Sequence, residues 1–244
     1  MSKSVLILGA SSDIARAIAR KFGAEGWNIF LAGRDAESLS RDAMDIELRH
    51  KVDARAFAFD AIDFESHANF WNSLPVKPDG VVCVFGYLGD QKVSEGSWSE
   101  ARRTIDTNFT GAVSILNIAA NHFEERKSGF IIGISSVAGD RGRMSNYIYG
   151  SAKAGFTAYL SGLRARLSRS GVNVITVKPG FVATRMTEGM PLPPLLTASP
   201  AAVAGDIYKA FVKGMPVVYT RWFWKFIMLI IIHIPERVFK NVKF

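Results

Sequence analysis

An α/β architecture, a doubly wound parallel sheet with helices on both faces, is predicted from three observations. Short runs rich in Val, Ile and Phe alternate with longer stretches of helical periodicity along the chain. The runs are almost continuously apolar rather than alternating, as in strands covered on both faces. The 244 residues, 48% hydrophobic and 21% charged, carry enough apolar side chains for a full core, which excludes a disordered chain. The length also permits two small domains, but no repeat or low-complexity linker divides the chain, so 1–244 is read as a single domain.

In chain order, strands are expected at 5–8, 28–31, 56–59, 80–84, 130–134 and 172–177. Helices are expected between them at 13–25, 36–50, 64–73, 98–126 and 145–168. Two stretches fall outside the alternation. Residues 184–200 hold Pro191, Pro193, Pro194, Pro200 and Gly189, and are read as an irregular substrate loop covering an active site. Residues 219–244 form a basic aromatic and aliphatic C-terminal segment.

Composition removes several function classes. The single cysteine, Cys83, excludes a disulfide scaffold and a cysteine-based zinc site. The four histidines (His50, His67, His122 and His233) have no metal-ligand spacing, so no metal is expected. Val5–Leu8 is too short for the apolar region of a secretory signal, which with the lone cysteine points to the cytoplasm.

The turn after the first strand reads Gly9-Ala10-Ser11-Ser12-Asp13-Ile14-Ala15 and opens a helix. Such a turn offers backbone N–H groups and a helix dipole to a phosphate, although the Rossmann spacing G-x-G-x-x-G is absent. An ordinary βα turn is the competing reading. At the end of the second strand, Arg34 stands where an acidic residue would bind a ribose 2′-hydroxyl, and is suited to a 2′-phosphate instead. That favours NADP(H) over NAD(H), against a solvated arginine. Asp60, after the third strand, suits an adenine amino group or the cap of the helix near Phe64.

Ser136 follows the fifth strand, and Tyr149 and Lys153 lie i and i+4 on one helix face thirteen residues further on. A phenol titrates near 10 and is a poor acid or base at neutral pH; an adjacent ammonium lowers that value. Ser136 is placed to polarise a carbonyl. Tyr-x-x-x-Lys alone is common by chance. The set Ser-x₁₂-Tyr-x₃-Lys in a Rossmann-like chain is specific.

On these residues the chain resembles the short-chain dehydrogenase/reductase family over nearly its whole length. The family's G-x-x-x-G-x-G loop maps onto Gly9, Asp13 and Ala15, keeping only the first glycine. Its catalytic residues map onto Asn108, Ser136, Tyr149 and Lys153, and its P-G-x-V-x-T segment onto Pro179, Gly180, Val182 and Thr184. N-N-A-G becomes Cys83-Val84-Phe85-Gly86. The resemblance implies a nicotinamide cofactor held by Gly9, Ser11, Ser12, Asp13, Ile14, Arg34, Asp60, Gly86, Tyr149, Lys153, Pro179, Gly180, Val182 and Thr184. It also implies a ketone or secondary-alcohol substrate, with Tyr149 the proton donor, Ser136 the carbonyl partner and Asn108 the anchor of a water beside Lys153. Asp13 breaks the pattern, since a carboxylate there repels a diphosphate unless it caps the helix and turns away. A homodimer or homotetramer built on 98–126 and 145–168 is a further implication. Three segments (the first turn, Val84 to Asp90, and His233 to Phe239) are similar to those of reductases acting on polyprenylphosphoryl 2-keto-pentoses (decaprenylphosphoryl-2-keto-erythro-pentose), within the family.

Net charge is +8, and from Lys213 onward six Lys/Arg face only Glu236, a net +5. Trp222-Phe223-Trp224 and the run from Phe226 to Ile232 separate those cations. Seven apolar residues are too few to span a bilayer. Two placements stay open: the interface of an anionic membrane, peripheral on its inner face, or packing in a dimer contact or over the substrate cleft. Large aliphatics between the cations argue against nucleic acid. The expected function is an NADP(H)-dependent carbonyl reductase, with NAD(H) as the second cofactor. A 3-oxoacyl or small-ketone reductase and an idle nucleotide-sensing membrane scaffold are the alternatives.

Overall fold

The computed structural model describes residues 3–242, so Lys243, counted in the charge of the tail, lies outside the described residues. β1 (Ser4–Leu8), α1 (Asp13–Ala24), β2 (Asn28–Gly33), α2 (Ala36–His50), β3 (Ala54–Ala58), α3 (Ser66–Ser73) and β4 (Gly80–Cys83) make the first half. There follow α4 (Gln91–Gly96), α5 (Trp98–Ile105), α6 (Gly111–Arg126), β5 (Gly129–Ile134), α7 (Tyr147–Leu167) and β6 (Val172–Pro179). The chain ends with β7 (Phe181–Val182), β8 (Thr197–Ala198), α8 (Pro200–Val212), β9 (Val217–Thr220), α9 (Trp224–His233) and α10 (Glu236–Phe239).

Seven strands pair in the order β3-β2-β1-β4-β5-β6-β9, and every pair is parallel. Alternate residues of each strand feed different layers, the reason the runs are apolar throughout. Val5 and Ile7 face Ile18 and Phe22 of α1 and Ile207 of α8. Leu6 and Leu8 face Leu116 and Phe123 of α6 and Phe156 of α7. A third cluster lies apart from the sheet, formed where Trp224, Met228, Ile231 and Phe239 meet Val137, Phe181 and Leu196.

Four expectations need correction. The third strand begins at Ala54, two residues before the expected start. The stretch 98–126 is not one α-helix: a π-turn over Asp106–Thr110 separates α5 from α6. Its extra residue per turn rotates Asn108 inward, a shift that helical periodicity does not encode. The boundary at 219 falls inside β9, a short strand that closes the sheet edge against β6. Finally, α4, α8 and β9 were not read at all, although Ser199 as cap and Pro200 at the first helical position mark the start of α8.

Candidate active site

Every candidate residue lies at the carboxyl edge of the sheet. β1 and β4 are neighbours there, yet their connections leave to opposite faces, which opens a crevice between them. Gly9 follows β1 with φ +81°, and a Cβ on it would lie 2.5 Å from the Phe85 nitrogen. Only glycine fits so tight a turn. Ser12, not Asp13, caps α1: its Oγ accepts the N–H of Ala15 at 3.2 Å. Asp13 is the first helical residue, and one carboxylate oxygen accepts the backbone N–H of Arg185 at 2.9 Å. The other lies 3.5 Å from the Arg185 guanidinium, which also donates to the Ser11 carbonyl.

Gly9, Ser11, Ser12, Arg34, Asp60 and Gly86 line one groove. Asp60 does not cap α3: its Oδ1 accepts the N–H of Ile62 at 3.1 Å, and α3 has no side-chain cap. A second arginine, Arg103, faces the same groove with its guanidinium 4.2 Å from the centre of the Tyr87 ring. Sequence reasoning missed it. Arg102 and Arg103 are adjacent on α5, and periodicity alone did not show that Arg102 turns to Asp106 instead.

Ile14, Gly86, Ser136, Tyr149, Lys153, Pro179, Gly180, Val182 and Thr184 line an inner cavity beside that groove. Ser136 is held by its role in a short turn, its Oγ accepting the N–H of Ala138 at 3.1 Å. Lys153 is 4% exposed and donates from Nζ to the Ile134 carbonyl at 3.0 Å. Burial lowers its pKa to about 8. Burial pushes the Tyr149 hydroxyl up to about 12, opposed by a hydrogen bond with Ser136. Desolvation is the larger influence on both groups, and the Lys153 ammonium stands 5.8 Å from the Tyr149 ring centre, one helical turn away. Asn108 is buried, its Nδ2 donating to the carbonyls of Tyr87 (2.6 Å) and Thr104 (2.8 Å). A Cβ on Gly86 would stand 3.0 Å from Asn108 Oδ1 and 3.5 Å from Lys153 Nζ, so this glycine leaves open the space the two share.

Outward from Tyr149 runs a larger cavity of about 620 Å³, lined by Phe181, Met190 and Leu196 on one side and Trp224, Ile227 and Ile231 of α9 on another. Trp224 stacks against Gly180, where a Cβ would fall 2.0 Å from its ring, and donates to the Leu196 carbonyl at 3.2 Å. Arg141 clamps the end of α9 by donating to the carbonyls of Ile231 (2.6 Å) and Ile234 (2.6 Å) and pairing with Glu236 at 2.9 Å. The described part of the tail thus packs over the cleft, one of its two expected placements.

A family model described as short chain dehydrogenase matches residues 3–192. The chain belongs to the short-chain dehydrogenase family. An uncharacterized oxidoreductase of Mycobacterium tuberculosis is 37% identical over 221 residues, covering 89% of this chain and 88% of the relative. A short-chain dehydrogenase from Sphingobium yanoikuyae in complex with NADPH shares the fold with a TM-score of 0.79 at 22% identity, covering 90% of this chain and 88% of that one. Actinorhodin polyketide ketoreductase with NADPH does so with a TM-score of 0.81 at 22% identity, over 91% and 97%.

Set against the short-chain dehydrogenase pattern, the departures at Cys83 and Asp13 have local explanations. Cys83 is the last residue of β4, buried in the sheet, and its thiol is pushed up to about 12. It is a core side chain. Asp13 is taken up by the 184–200 loop, whose first turn runs over Arg185–Thr187 with Thr184 as its cap. That loop is less irregular than expected, since β7 and β8 bracket it as a two-stranded ribbon. Met186, from the same turn, reaches both the groove and the inner cavity. The family match ends at 192, so α9 and its wall of the large cavity lie beyond it.

Proposed function

We propose that the protein is an NADP(H)-dependent carbonyl reductase acting on an amphiphilic ketone, of which a polyprenyl-phosphate-linked keto-sugar is the favoured case. The observation that carries it is that Ser136, Tyr149 and Lys153 line one inner cavity beside the Gly9 groove, and Tyr149 also lines the larger apolar cavity. The glycine turn at Gly9 and the N-terminus of α1 suit a dinucleotide diphosphate. When bound, the nicotinamide supplies hydride. Tyr149 protonates the developing alkoxide, Ser136 hydrogen-bonds the same oxygen, and Lys153 offsets the charge left on the phenol oxygen. Asn108 anchors the backbone of Tyr87 beside Lys153 and completes the proton route. The NADPH complexes of fold neighbours support the cofactor, and Arg34 and Arg103 in the groove support the 2′-phosphate form. Arg34→Ala should weaken NADPH much more than NADH, because only NADPH offers a phosphate to the guanidinium. Dissociation constants for both nucleotides decide it, and equal losses return Arg34 to a solvated surface role.

The amphiphilic substrate follows from α9. Its inner face walls the cavity, while Phe226, Leu229 and Ile230 (67% exposed) point outward beside Trp222 (73% exposed). Arg221, Lys225, Arg237 and Lys240 flank that face. Tryptophan, aliphatics and cations together suit an anionic membrane surface, and a chain passing from bilayer to cavity avoids exposing methylenes at about 0.8 kcal/mol each. Among the described residues no helix is long and apolar enough to cross a membrane, so docking is peripheral. The protein works there as a homodimer or homotetramer built on α5, α6 and α7, facing the cytoplasm. NADPH oxidation should be assayed with a ketone panel, soluble and vesicle-borne. Ile230→Glu should cut turnover of the lipid-linked ketone in anionic vesicles at low salt and spare a soluble ketone. Equal rates on both would remove the membrane from the reading, and preference for short soluble ketones would favour a small-ketone reductase.

A further inference from the structure

Asp13 presents a conflict that the rest of the site does not resolve. An acidic residue at the first position of a helix is favoured by the helix dipole. The same end of α1, beside Gly9, Ser11 and Ser12, is where a dinucleotide diphosphate would lie, so two negative groups compete for one field. Family proteins place glycine there. This chain places a carboxylate and, 172 residues later, an arginine against it. The main-chain N–H of Arg185 holds one Asp13 oxygen at 2.9 Å, and its guanidinium stands 3.5 Å from the other while donating to the Ser11 carbonyl. The arginine is therefore seated on the diphosphate turn itself.

We propose that Arg185 is a cofactor-site residue that neutralises Asp13, so that the phosphate turn accepts a dinucleotide only when the first turn of the 184–200 loop is docked on it. The inference uses the cofactor part of the proposed function and not its substrate. Three features fit. Thr184 and Thr187 brace the Arg185 turn through the Thr184 N–H to Thr187 Oγ1 bond at 3.2 Å, so the guanidinium is presented from an ordered element. Met186 beside it lines the groove that also holds Gly9, Ser11 and Ser12, so this turn borders the space a dinucleotide would take. The Arg185 side chain is largely exposed and makes no contribution to the core, so its removal leaves the fold in place.

The test is NADPH binding by fluorescence titration, at low and high salt, for Arg185→Gln, Asp13→Asn and the double variant. Asparagine keeps an acceptor for the Arg185 N–H and removes only the charge, which makes the pair separable. Arg185→Gln should raise the NADPH dissociation constant about tenfold at low salt, with the loss shrinking at high salt. Adding Asp13→Asn to it should restore binding to within about threefold of the unaltered protein, a positive coupling in the double-mutant cycle. As a second readout, NADPH should protect the 184–200 loop from protease in the unaltered protein and not in Arg185→Gln. The proposal is overturned if Arg185→Gln binds NADPH normally. It is also overturned if the double variant stays as weak as Arg185→Gln, which would make Arg185 a direct phosphate ligand. Failure of the unaltered protein to bind NADPH would overturn the proposed cofactor as well.

Discussion

Tyr149→Phe is expected to lower kcat by more than about a hundredfold, with NADPH affinity retained. The variant keeps the ring and deletes only the hydroxyl, which burial holds in its protonated form with a pKa of about 12. A group so hard to ionise is a good proton donor only if the anion it leaves behind is stabilised during the transfer. Ser136 and Lys153 are the groups in position to do so. Ser136 lines the same inner cavity and opposes the upward shift of Tyr149, and the lysine lies one helical turn away. Steady-state turnover beside a fluorescence titration separates loss of chemistry from loss of binding. Near-normal turnover would sink the role of Tyr149 and, with it, the carbonyl-reductase reading.

Lys153→Met should cost about a hundredfold in kcat, the usual scale for removing a preorganised electrostatic group, and it should also change the pH profile. With the Lys153 pKa lowered to about 8, reduction is expected to fall as pH rises through that value, because the neutral amine no longer supports the forming phenolate. That limb should vanish in Lys153→Met. Stability has its own sign. The folded-state pKa lies below the 10.5 of an unperturbed lysine, so between about pH 8 and 10.5 the unfolded chain holds the extra proton. Stability should therefore rise with pH across that window in the unaltered protein, and the lysine's share of that rise should be missing in Lys153→Met. Chemical denaturation at several pH values measures it, and an unchanged slope would show that Lys153 titrates as an exposed lysine does.

The fold was legible because its signal is local and redundant. Six apolar runs and the helices between them state the winding, and the residues after each run fall at the carboxyl edge by construction. Ser136, Tyr149 and Lys153 were legible for the same reason, since a strand end and an i, i+4 pair fix their directions. Asn108 was reached only through the family resemblance, and the π-turn that aims it was not reached at all, because one extra residue in a turn leaves no mark in composition. For Asp13 capping was only one of the open alternatives, and its actual partner, Arg185, was out of reach because it is remote in the chain and only tertiary structure brings a loop turn back to the first helix. The lowering of the Tyr149 pKa by the Lys153 charge was legible from the i, i+4 spacing. The cost of burying both groups was invisible without the sheet above them. Arg103 and the Trp224–Gly180 contact depend likewise on which way one helix face turns.

That last contact bears on how the protein is made. Trp224 packs against Gly180, and Arg141 fixes the helix that carries it, so this wall of the cavity leaves the ribosome after every residue lining the groove beside Gly9. A nascent chain has all the residues of the nucleotide crevice long before it has a closed pocket. A purification tag fused after Phe239 sits against the pocket wall, whereas one fused before Ser4 sits at the opposite, amino edge of the sheet. The amino-terminal fusion is the one that stands away from the cavity.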